Sequence, residues 1–222
     1  MGGNTKLFHL FATGLLLVAA SLIPLTATAG TGTFGSYIGV DVGDGGGNVW
    51  YGGTQPGSTT LESFDGKDLG DFTVGDSMLI SGGELLTWKS DGGDVTGATL
   101  HYSVYETSAS PATWNSITIN WASNSPFNDA AGNGFSGSGD QKWANPTSTP
   151  DVLSGISNGD YSLSVYFEAS TNEGARFDSN GGNNFISTFS VSSSVSVPEP
   201  SAFLIALGGL LSLALLRRKR KR

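Results

Sequence analysis

Thr99-Leu100-His101-Tyr102-Ser103-Val104-Tyr105-Glu106 and Asp160-Tyr161-Ser162-Leu163-Ser164-Val165-Tyr166-Phe167 are the stretches whose pattern decides the fold. In the first, Leu100, Tyr102 and Val104 alternate with His101, Ser103 and Tyr105. In the second, Tyr161, Leu163, Val165 and Phe167 alternate with Ser and Tyr. Successive side chains of a strand point to opposite faces, so each stretch gathers its apolar set on one side. Ser116–Trp121 and Asn184–Val191 repeat the pattern. Shorter strands are expected at Tyr37–Val42, Val49–Tyr51, Leu61–Phe64, Phe72–Val74, Met78–Ile80 and Leu85–Lys89. Between Gly30 and the C-terminal tail nothing sustains the i, i+3, i+4, i+7 spacing of an amphipathic helix.

Turn chemistry separates these runs. Asp44-Gly45, Asp65-Gly66, Asp91-Gly92, Asn158-Gly159 and Asn180-Gly181 are dipeptides of the hairpin type, in which Gly or Asn accepts a positive φ. Many short strands in one chain of this size predict an all-β fold, an antiparallel β-sandwich of jelly-roll or immunoglobulin-like kind. The expected core is Ile38, Val40, Leu79, Leu86, Leu100, Tyr102, Val104, Ile117, Ile119, Leu163, Val165, Phe167, Phe185 and Phe189. Asn124–Pro150, rich in Gly, Ser, Asn and Pro, reads as a long loop at one end of the sandwich.

Charge and cysteine content restrict function. The chain has 222 residues and a net charge of −8. Six of its 11 basic residues are the run Arg217–Arg222, and Lys6 lies near the start. The span 30–197 keeps Lys67, Lys89, Lys142 and Arg176 against all the acids except Glu199, which leaves it at −14. Such a surface repels a phosphate backbone and argues against nucleic acid as a partner. There is no cysteine, which excludes disulfides, thiolate metal sites and a cysteine nucleophile.

The two ends read as targeting segments. Residues 1–29 have the form of a secretory signal peptide: Lys6, the apolar run from Leu7, Pro24, and the small-residue site Ala27-Thr28-Ala29, with cleavage expected before Gly30. A β-domain is expected over 30–191 and a Ser/Val linker over 192–197. At the other end Val197-Pro198-Glu199-Pro200-Ser201 precedes an uncharged apolar segment, 201–216, and the basic run. As a helix that segment is about 24 Å long, short of a hydrocarbon core of roughly 30 Å. Snorkelling Arg and Lys stems and local thinning allow it to span, with the basic run held cytoplasmic. Motif, apolar helix and basic end, in that order, resemble the PEP-CTERM sorting signal, with Pro198, Glu199 and Pro200 matching the motif. The resemblance implies a Gram-negative exported protein and recognition and processing of the tail by an exosortase. It implies a transient stay in the inner membrane, then the cell envelope or extracellular matrix, in association with exopolysaccharide or biofilm.

Signatures of catalysis are scarce. With His9 inside the signal peptide, His101 is the one histidine of the exported domain, and no Gly-x-Ser-x-Gly elbow is present. The chain is therefore expected not to be an enzyme and to need no cofactor. Asp41-Val42-Gly43-Asp44-Gly45-Gly46-Gly47-Asn48 and Asp178-Ser179-Asn180-Gly181-Gly182-Asn183-Asn184 offer hard oxygen ligands that suit calcium, although neither has EF-hand spacing and Asp and Asn occupy such turns for conformational reasons as well. Asp41, Asp44 and Asp178 are the calcium candidates.

The aromatic residues are more informative. His101, Tyr102 and Tyr105 share one strand, Trp114 and Trp121 follow, and Trp143 falls in the expected loop. Exposed aromatic faces seat sugar rings; buried ones fill cores, and both readings stand. Leu100-His101-Tyr102-Ser103 with Trp114, and Arg176-Phe177-Asp178-Ser179-Asn180-Gly181-Gly182-Asn183-Asn184-Phe185, resemble segments of the starch-binding modules of carbohydrate-binding families 25 and 26. In the second segment Phe177 stands where those modules have Trp and Phe185 where they have Tyr. The resemblance implies a β-sandwich and glucan binding, with His101 and Trp114 as stacking residues. Candidate carbohydrate-binding residues are thus His101, Tyr105, Trp114 and Trp143. Two functions follow: a non-catalytic structural or interaction protein of the matrix, and a module that binds a glucan or exopolysaccharide.

Overall fold

The computed structural model describes residues 29–193. The signal-peptide residues up to Thr28, the sorting motif Pro198-Glu199-Pro200, the apolar segment 201–216 and the basic run lie outside the described residues. The described chain is all-β: β1 (Gly30–Asp41), β2 (Val49–Gly52), β3 (Asp68–Thr73), β4 (Leu79–Ser90), β5 (Val95–Glu106) and β6 (Asn115–Asn124) come first. β7 (Phe127–Asn128), β8 (Gly134–Phe135), β9 (Asp140–Pro146), β10 (Gly159–Thr171), β11 (Arg176–Asp178) and β12 (Phe185–Ser192) follow. A single 3-10 turn, Asn180–Gly182, is the only helical element among the described residues.

Hydrogen bonds join ten strands in one sheet of order β2-β1-β4-β9-β6-β5-β10-β12-β3, with β11 on β10; β7 and β8 form a separate ribbon. The sheet is mixed. The expectation of purely antiparallel pairing fails at β12, which runs parallel to β3 with Val191 opposite Phe72. Parallel neighbours need a long connection, and here nearly the whole domain intervenes. The sheet also curls. Four strands separate β1 from β10 in the sheet order. Even so, the Thr31 hydroxyl lies 3.2 Å from that of Thr171, Arg176 Nε donates to the Thr31 carbonyl at 3.0 Å, and Thr33 Oγ1 donates to the Phe177 carbonyl at 3.2 Å.

Inside the curl lies the core. Leu100, Leu163 and Val165 are wholly buried, joined by Ile117, Ile119, Phe167, Phe185 and Phe189. Burying one such side chain contributes roughly 1.5–3 kcal/mol. Tyr102 and Val104 pack against this core half-buried. Leu79 corrects the sequence reading: it is half-buried, and its neighbours Met78 and Ile80 are the core residues. A shift of one residue swaps the faces of a strand, and a register irregularity at Gly39/Val40 sits opposite this point.

Strand β4 is covered on both sides. Leu85 joins the main core, while Glu84 and Leu86 are buried beneath a second layer. That layer is the segment after β2 together with the β7–β8 ribbon: Phe34 and Phe127 both pack on Phe135, and Tyr37 Oη donates to Asp129 Oδ2 at 2.6 Å. The expected long loop 124–150 is thus replaced by the ribbon and β9. No strand forms over Leu61–Phe64, where an isolated bridge joins Ser63 to Gly52. Of the five hairpin-type dipeptides, Asp44-Gly45 alone joins two strands that pair, β1 and β2. The others do supply positive φ, for example 51° at Asp91 and 67° at Gly181, but the strands on either side of each do not pair with one another. Backbone freedom at a turn sets its tightness, not the partner of the strand that follows.

Candidate functional site

The candidate site is the outer face of the sheet where β5, β10 and β11 lie side by side. Antiparallel register sets His101 opposite Tyr166, and Phe177 opposite Glu168. Directly paired residues share a face, so the inward set Leu100, Val165 and Phe167 leaves His101, Tyr166 and Glu168 outside. The His101 and Tyr166 rings stack, with centroids 4.5 Å apart and planes within 9°. Trp114, in the segment leading into β6, meets Tyr166 edge-on at 4.9 Å and 68°. Phe177 approaches the same tyrosine at 6.2 Å and 60°, and is 54% exposed. Two positions along the same strands the small residues Ser103 and Ser164 pair in register and are buried.

One carboxylate borders this aromatic platform: Glu168 Oε2 lies 3.1 Å from His101 Nε2. Burial, and then the charge of Glu168, push the Tyr166 hydroxyl above its ordinary value, so it stays protonated at neutral pH and serves as a donor. The arrangement offers flat apolar faces, a hydroxyl, an imidazole and a carboxylate. These are groups that can stack on a ligand and hydrogen-bond it.

The sequence-derived candidates divide. His101 and Trp114 meet through Tyr166, a residue the sequence reading had not singled out. Its signal was there: Tyr166 and Glu168 stand off the apolar stripe of β10. Tyr105 lies on the same outer face, about 13 Å along β5 from His101. Trp143 is corrected. It sits on β9 rather than in a loop, is only 6% exposed, and donates from Nε1 to Thr87 Oγ1 at 3.1 Å. It fills the core and presents no face to a ligand. Trp121 is exposed but takes no part in the stacked cluster.

The three calcium candidates occupy two separate places. Asp41 and Asp44 accept backbone N–H bonds from Gly43 and Gly46, two residues on, as turn-forming aspartates do. Asp178 is buried on β11 and accepts from Thr54 Oγ1 at 2.7 Å. Among the described residues no group of three or more His, Asp or Glu converges as metal ligands would. Ala29 immediately precedes β1, and Ala27 and the sorting motif lie outside the described residues.

No protein-family model matches the chain, and no curated protein matches it either.

Proposed function

We propose that this chain is an exported, non-catalytic protein of the cell envelope or extracellular matrix whose β-domain binds polysaccharide through the outer-face platform. The observation that carries this reading is the continuous run His101–Tyr166–Phe177 with Trp114, four rings in contact on a solvent-facing surface of one sheet. Rings at 60° and 68° to one another suit a curved glycan better than a flat ribbon, which calls for coplanar rings. The curl of the sheet we read as two facing layers, a β-sandwich of jelly-roll or immunoglobulin-like kind, in keeping with the resemblance to starch-binding modules.

Affinity electrophoresis in gels containing glucans or the native exopolysaccharide tests the binding. Retardation of the wild type that is lost in Trp114→Ala, with an unchanged circular dichroism spectrum, is the expected result. No retardation by any polymer would leave a structural matrix protein without a glycan ligand as the better reading.

Sorting belongs to the same proposal. The tail 198–222 acts as a handle recognised by an exosortase, after export by the secretion machinery and transient residence in the inner membrane. The double variant Pro198→Ala, Glu199→Ala is expected to stay in the inner membrane with its tail attached. Normal processing of that variant would refute the motif reading.

A further inference from the structure

The charges around the platform select among glycans. Among the described residues every Lys and Arg is already bonded to a carboxylate: Lys67 to Glu62 at 2.8 Å, Lys89 to Asp94 at 2.6 Å, Lys142 to Glu84 at 2.7 Å and Arg176 to Glu173 at 3.1 Å. A uronate or sulfated sugar would meet a strongly acidic domain with no cation free to receive it. Glu168 is the opposite case. It borders the stacked rings, its side chain is 27% exposed, and the one charged or titratable side chain bonded to it is the His101 imidazole.

Resting on the polysaccharide reading above, we propose that the platform recognises glycans bearing free ammonium groups, that is, a polymer of amino sugars whose nitrogens are not all acylated. The exposed ring of Phe177 seats the pyranose and attracts the ammonium through its electron-rich face. Glu168 accepts the charge-assisted hydrogen bond that fixes it. The acidic surface draws the polycation in from a distance but cannot discriminate one site from another, so the discrimination is local to Glu168.

The test is isothermal titration of the full-length chain, in a neutral detergent and about 0.15 M salt where long-range attraction is screened. The probes are oligomers of equal length of glucosamine, N-acetylglucosamine, glucose and galacturonate. Glucosamine oligomers are expected to bind about tenfold tighter than the acetylated ones, the scale of one charge-assisted hydrogen bond, and any galacturonate binding, which the basic run Arg217–Arg222 can supply, to be the same in Glu168→Gln. Glu168→Gln should remove the preference and bring the two hexosamine oligomers to equal affinity. Equal affinity for the two hexosamine oligomers in the wild type, or a preference that survives Glu168→Gln, overturns the proposal while leaving the polysaccharide reading in place. Failure of every oligomer to bind overturns the proposal, and the gel retardation above then decides the polysaccharide reading.

Discussion

His101 on β5 and Tyr166 on β10 stack face to face, 4.5 Å between centroids, on the side of the sheet away from the core. Direct cross-strand partners have this proximity imposed by register, so the pair is as fixed as the sheet itself. Stacked aromatic pairs contribute about 0.5–1.5 kcal/mol beyond the area they bury. A double-mutant cycle with His101→Ala and Tyr166→Ala, read by urea denaturation, is expected to give a coupling in that range. Additive losses would mean that the two rings do not interact in solution.

Trp143 should behave as a core residue. Trp143→Ala is expected to cost about 3–5 kcal/mol, as for a large buried aromatic. Trp143→Phe keeps most of the packing and loses the bond to Thr87, about 1 kcal/mol. Polysaccharide retardation should be unchanged in Trp143→Phe. A loss of retardation in that variant with stability intact would return Trp143 to the binding surface.

Glu84 and Lys142 set a pH dependence. Burial pushes the Glu84 carboxyl above its ordinary 4.5, while the bond to Lys142 pulls the other way. The folded state therefore holds this proton more tightly than the unfolded chain does. Its contribution to stability is full below the unfolded value and is lost as pH rises through the higher folded value. Thermal melts between about pH 4 and pH 7 should show a flatter curve for Glu84→Gln than for the wild type. Parallel curves would exclude Glu84 as the source. Lys142→Met strands the buried carboxylate and is expected to cost about 3 kcal/mol at neutral pH, a loss that Glu84→Gln in the same chain should largely restore.

Gly32 makes room for Trp88. A Cβ on Gly32 would overlap the indole Nε1 of Trp88, so the ring must move before any side chain fits. Gly32→Ala is expected to cost about 1–3 kcal/mol and to shift the tryptophan emission. The cost should fall when Trp88→Ala is added, because the obstructing ring is gone. An undiminished cost in the double variant would place the strain in the backbone instead.

Part of this molecule is local enough to be read from the chain. Alternation over Thr99–Glu106 and Asp160–Phe167 marks two strands and their inward faces, because side-chain direction in a strand depends only on parity. His101 is legible as a candidate because a ring on a polar stripe needs packing or a ligand to account for it, and Trp114 through the resemblance to the starch-binding segments. Tyr166 stands on a polar stripe in the same way, but nothing in β10 says which strand lies beside it. Trp143 was misplaced because a segment rich in Gly, Ser and Asn hides strand β9, whose Gln141 and Trp143 turn inward.

The sequence by itself determined the all-β class, the two faces of the long strands, the acidity of the domain and the absence of any thiol chemistry. These follow from composition and from the chemistry of neighbouring residues. Tertiary structure alone decided that β12 lies parallel to β3, that Asp91-Gly92 leads to a strand that does not pair with β4, that a second layer buries Glu84, and that His101, Tyr166, Trp114 and Phe177 form one surface. Each of these depends on which distant segments pair. Pairing is settled by the packing of the whole curled sheet, on which the local pattern is silent.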